Sequence, residues 1–124
     1  MSKARGEKVW YIPDGFIPPT SAAGAYESHE SVCVLNTSTE EALLKFTIFF
    51  EDRDPIENIL VVCPGRRTRH IRTSSLSHEG TSIPVGVPYA IEVISDIPVI
   101  VQYSRLDATQ AENALMTTLG YAIK

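Results

Sequence analysis

The segment LLKFTIFFE constrains the fold more than any other part of the chain. Leu44, Phe46, Ile48 and Phe50 fall on one face; Lys45, Thr47 and Glu51 fall on the other, with Phe49. A period of two with β-branched and aromatic residues is the pattern of a strand with one buried face. Similar short apolar runs recur at Val9 to Ile12, Ser31 to Leu35, Ala42 to Glu51, Ile56 to Cys63, Tyr89 to Ser95 and Pro98 to Ser104. Turn signals separate them. EDRDPIEN makes one turn, with Pro55 fixing φ, and SDIP is read as another before the next strand. Many short strands punctuated by turns predict an all-β fold: a single-domain antiparallel β-sandwich of jelly-roll or immunoglobulin-like two-sheet architecture, with few or no helices. The chain's 124 residues suit one domain, with an ordered core expected over about residues 8–122. The segment DATQAENALMTTLG is ambiguous. Ala111, Ala114, Leu115 and Thr118 have helical spacing, so a turn or short helical stretch is expected there, then a strand from about Leu115 to Ala122.

Several function classes lose support at once. Glu7 and Lys8 interrupt the place where a signal peptide would need its apolar core, and no apolar run approaches the ~20 residues of a membrane helix, so a cytoplasmic location is expected. Cys33 and Cys63 sit in apolar surroundings and read as free thiols; with no CxxC pair, neither a zinc site nor any other metal or cofactor is expected. The chain has no GxSxG elbow, P-loop or GxGxxG, and nothing local ties two carboxylates into an acid–base pair.

The charge distribution is uneven. PGRRTRHIR places Arg66, Arg67, Arg69 and Arg72 in one run, although the chain carries a formal charge of −4, and without these four the remainder would carry −8. In a strand, Arg67, Arg69 and Ile71 share one face and Arg66, Thr68, His70 and Arg72 the other, so no single basic stripe results. Three readings follow: a solvated edge with ion pairs to Asp and Glu, a ligand pocket, or a protein- or DNA-binding surface. No aromatic residue interleaves, and the acidic net charge opposes attraction to phosphate. Elsewhere, His29 beside Glu30 reads as a hydrogen-bonding pair or a polar strand entrance. Gln102 in an apolar strand needs hydrogen-bond partners, and Arg105 and Asp107 could pair with each other or flank a ligand.

Five segments in order, VWYIPDGFIPP, SHESVCVLN, FFEDRDP, PGRRTRHIR and VQYSRLDATQAENAL, resemble the family of the Anabaena sensory rhodopsin transducer, from about Trp10 to Tyr121. The resemblance implies a β-sandwich that assembles as a homotetramer. It further implies a small-molecule-binding or signal-transducing role, with a sugar-like or anionic metabolite as ligand. A membrane photoreceptor or other signalling protein is the implied partner. DNA binding through Arg66–Arg72 and a sugar-acting enzyme are the alternatives. Carried over by position, the family's polar motif residues fall on His29, Glu30, Asn36, Asp52, Arg53, Arg67, His70, Arg72, Gln102, Arg105 and Asp107, with Trp10 as an aromatic near the start. The ligand-binding set expected from it is Trp10, His29, Glu30, Arg53, Arg67, His70, Arg72, Gln102, Arg105 and Asp107, gathered in one recess, with no catalytic residue. Tyr103 stands where the family usually has His, Ala108-Thr109 replaces a pair that usually includes Arg, and Ile94 takes a place often held by Glu. Those departures bear on ligand identity and the partner surface more than on the fold.

Overall fold

A computed structural model describes residues 3–19, 28–109 and 114–124. The strands follow the alternation read in the sequence. β1 spans Glu7–Gly15, β2 His29–Asn36, β3 Ala42–Phe50, β4 Ile56–Cys63 and β5 Arg67–Arg72. A single 3₁₀ turn, Thr73–Ser75, leads into two short strands, β6 (Ser77–His78) and β7 (Thr81–Ser82). The chain closes with β8 (Tyr89–Asp107), β9 (Ala114–Leu119) and β10 (Tyr121–Ile123). All pairings are antiparallel. This is the expected all-β sandwich.

One layer has the order β4-β3-β8-β1-β10 and the other β5-β2-β8-β9. β8 belongs to both. Residues 89–95 pair with β3 and residues 100–107 pair with β2 and β9. SDIP is therefore not a strand-ending turn. Pro98 lacks a ladder donor, but it falls where β8 passes from one layer to the other and pairing is already irregular. Burial alternates along both halves: Tyr89, Ile91, Val93 and Ser95, then Val99, Val101 and Tyr103. Tyr89 and Arg105 are 16 positions apart, which a straight strand would stretch over roughly 50 Å at ~3.3 Å per residue. Both nevertheless touch Glu30, so β8 doubles back on itself.

Between the layers lie Leu44, Phe46 and Ile48 of β3 with Val93 of β8 from one side, and Val32 and Val34 of β2 with Val101 of β8 from the other, all fully buried. Trp10 is buried here, and its indole N–H donates to the carbonyls of Glu7 (2.9 Å) and Val99 (3.1 Å) at the crossover. Ile17 also packs into the core, so the described start of the long loop folds over its own domain. Residues 20–27 and 110–113 lie outside the described residues, as does the helical stretch expected around Ala111. The final strand is divided. Gly120 donates to the Val101 carbonyl (3.0 Å), and a Cβ there would stand 3.2 Å from the Trp10 ring. The missing side chain lets the chain step from one layer to the other across the indole.

Candidate functional site

Glu30 is 1% exposed, the most buried charged residue among the described residues. Alternation along β2 turns Glu30, Val32 and Val34 inward, and a buried carboxylate demands partners. It finds them on three other segments. The backbone N–H of Phe16 donates to both oxygens (3.2 and 3.0 Å), and the Tyr89 hydroxyl donates to Oε1. Arg105 Nε donates to Oε2 at 2.6 Å from directly across the β2–β8 ladder. Tyr89 also bonds Thr73 Oγ1 at 3.0 Å. Burial, then the Glu30 hydrogen bond, pushes the Tyr89 and Tyr103 phenols up and keeps both protonated. Burial pulls the Arg105 guanidinium down, but Tyr103 and Glu30 outweigh that and hold it above its usual range.

Arg105 is not used up by these contacts. Its Nε lies 3.3 Å from the Tyr103 hydroxyl and its Cζ 5.9 Å from that ring's centre. Its Nη2 is buried and makes no hydrogen bond; Asp14 Oδ2 stands 3.8 Å away, at ion-pair distance only. Arg105 and Asp14 line a recess of about 390 Å³ with Ile12, Pro13, Tyr103, Met116 and Tyr121. That volume lies in the range of small-ligand pockets, and a largely apolar wall with a few placed polar or charged groups is their usual composition.

The ten expected site residues do not share this recess. Glu30 and Arg105 meet on the inner face of the β5-β2-β8-β9 layer. His70, Cys33, Gln102 and Leu119 form one cross-strand row on its outer face, with a smaller recess of about 280 Å³. Arg72 lies on the neighbouring row with Ser31, Ser104 and Thr117. His29 sits on that outer face too, across from Leu106, so it and Glu30 point to opposite sides of β2 and do not pair. Asp107 does not pair with Arg105 but accepts from the backbone and side chain of Thr109 (2.9 and 2.7 Å), which hold its carboxyl below the usual range. Arg53 is exposed in the β3–β4 turn, bonded to Asp52 (3.0 and 3.1 Å) and stacked on Phe50. Trp10 is a core residue whose one donor is already engaged. Asn36 is buried and structural: its amide donates to the Glu40, Cys63 and Pro64 carbonyls.

The basic run forms an edge strand. Arg67 Nη1 donates to the Arg66 carbonyl (3.0 Å), Arg66 Nη1 to Thr37 (3.0 Å) and Arg69 Nη1 to Val62 (2.6 Å). Among the described residues none of the four arginines makes an ion pair. Charge at an edge blunts its pairing with other strands, and Arg69 tethers the two layers. Sequence reasoning missed Asp14, Thr73, Tyr89, Tyr103, Met116 and Tyr121. Of these only Tyr103 carried a signal, as a phenol where the family usually has His. Cys33 and Cys63 are free, and burial pushes both thiols up.

No helix among the described residues is long and apolar enough to cross a membrane, and no cluster of His, Cys, Asp and Glu there could hold a metal ion. The family model described as Anabaena sensory rhodopsin transducer matches residues 5–122. A Thermotoga maritima protein, 1070, has a crystal structure that superimposes with a TM-score of 0.84 at 38% identity, covering 96% of this chain and 97% of that one. The structure of the Anabaena sensory rhodopsin transducer superimposes with a TM-score of 0.74 at 36% identity, covering 87% of this chain and 95% of that one. No curated protein matches the chain.

Proposed function

The chain belongs to the Anabaena sensory rhodopsin transducer family, and from that premise we propose that it is a cytoplasmic binding and signalling module that takes a small anionic or polar metabolite in the Arg105 recess. The observation that carries this reading is the part-buried guanidinium beside Glu30, with its Nη2 buried and unbonded, lining a cavity of about 390 Å³. Arg supplies a planar fork of donors suited to carboxylate, phosphate or vicinal hydroxyls. Glu30 fixes where that fork sits. Its oxygens are engaged by Phe16, Tyr89 and Arg105, an arrangement that holds geometry rather than one that moves protons, so the proposal is binding without turnover. By analogy with the relative whose name is transducer, a membrane photoreceptor or another signalling protein is the proposed partner.

The same proposal includes a homotetramer. All six residues of β9 are exposed, so neither face of the strand is covered, and Leu115 (72%), Leu119 (67%) and Tyr121 (70%) stand out in water. An uncharged apolar strip of this kind is the mark of an interface.

A thermal-shift screen of sugars, nucleotides and organic acids tests the recess. The control is Thr118→Trp, which fills the cavity from an exposed strand without touching Glu30. A ligand at a hundredfold excess over its dissociation constant stabilises the native state by about 2.7 kcal/mol. The expected result is a compound that raises the Tm of the wild type and not of Thr118→Trp. Equal shifts in both proteins, or none with any compound, would remove the reading.

A further inference from the structure

We propose that the Arg105 recess is a carboxylate site whose anion position Asp14 fills in the unliganded chain, so that Asp14 sets a ceiling on the affinity for acids. The inference rests on the reading above that the recess binds a small ligand. Its geometric basis lies in how the Arg105 guanidinium is divided. The Nε edge is committed to Glu30 at 2.6 Å, and this bond joins residues directly opposed on neighbouring strands. Nη2 is buried without a hydrogen bond, and the charge facing it is the Asp14 carboxylate at 3.8 Å. That separation is too long for a hydrogen bond. Asp14 is 83% exposed, next to last in β1, and water and salt screen its attraction.

The arrangement has a consequence for any ligand. Glu30 already balances the single positive charge of Arg105. Asp14 is a second carboxylate on the same cation, and an entering acid would be a third. The acid must therefore push Asp14 aside, which its exposure permits, and then offer oxygens at hydrogen-bonding distance that Asp14 does not reach. A neutral sugar gains nothing from that exchange. The body of the ligand is specified by the walls, since Ile12, Pro13, Met116 and Tyr121 are apolar or aromatic. The class that fits is a small monocarboxylic acid with an apolar or aromatic body.

Benzoate and its neutral isostere benzamide are suitable probes, titrated by calorimetry into full-length wild type, Asp14→Asn and Asp14→Ala. The Met116 methyl signal reports in NMR whether binding occurs in the recess. Removing a screened competing charge is expected to tighten benzoate about threefold to fivefold in both variants. Benzamide is expected to show no such gain, and benzoate to move the Met116 signal. Unchanged or weakened benzoate binding in the variants, an equal gain for benzamide, or no benzoate binding to any of the three proteins would overturn the inference. A compound from the thermal-shift screen that is blocked by Thr118→Trp yet binds wild type and Asp14→Asn equally would leave ligand binding standing and remove the role of Asp14.

Discussion

Glu30 draws a backbone N–H, a phenol and a guanidinium from three parts of the chain, and the phenols around it give the residue-scale prediction. Tyr89 and Tyr103 are raised above the ordinary phenol value of 10.0, chiefly by burial and next by Glu30. A raised folded-state value means that the unfolded chain loses its protons first. The stability these groups contribute is full below about pH 10 and is lost as pH climbs through their folded-state values. Absorbance at 295 nm should therefore show two of the five tyrosines ionising only together with alkaline unfolding. Five tyrosines titrating together near pH 10 in a folded protein would contradict it. At this scale the sequence singles out Glu30 and Arg105 but not their contact with each other. Local sequence leaves His29 and Glu30 open as a hydrogen-bonding pair or a polar strand entrance, and leaves Arg105 and Asp107 open to pair or to flank a ligand. Adjacent strand residues face opposite ways, and residues two apart are ~7 Å apart along one face. The real partner lies across the ladder, 75 positions away, where no local pattern reaches.

Strands were far easier to read than sites. β4 matches its expected limits, and β1, β2 and β3 differ from theirs by a few residues at the ends, because half-buried strands must alternate. The misreading at SDIP has a physical cause. Asp and Pro usually end a strand, but here they mark the passage from one layer to the other, where Asp96 also accepts from the Leu43 N–H (2.8 Å). Gly15 shows how closely the elements fit around the buried carboxylate. A Cβ added there would lie 2.5 Å from Cζ of the Tyr89 ring, and the ring cannot yield without disturbing its bond to Glu30. Gly15→Ala should cost about 1–3 kcal/mol in urea unfolding, as overpacking does. An unchanged midpoint would show that the ring has room to move.

The molecule as a whole leaves β9 and β10 incomplete, since Leu115, Met116, Leu119, Tyr121 and Ile123 are exposed together. Leu119→Lys places a charge in that strip and should convert the proposed tetramer to the 13.7 kDa monomer in light scattering. A wild type already monomeric at high concentration would dismiss the interface. This strip was not legible beforehand, because an apolar strand reads the same whether its own core or a neighbour covers it. The doubled-back course of β8 has one more consequence. Glu30 pins both limbs of that strand, making a closed circuit of stiff backbone rather than a free-ended ribbon. Such a circuit has little slack. A pull on the guanidinium at one limb would pass through the carboxylate to the phenol at the other, and to the N–H of Phe16 at the mouth of the long loop, so a touch at a single corner would be felt in both layers at once.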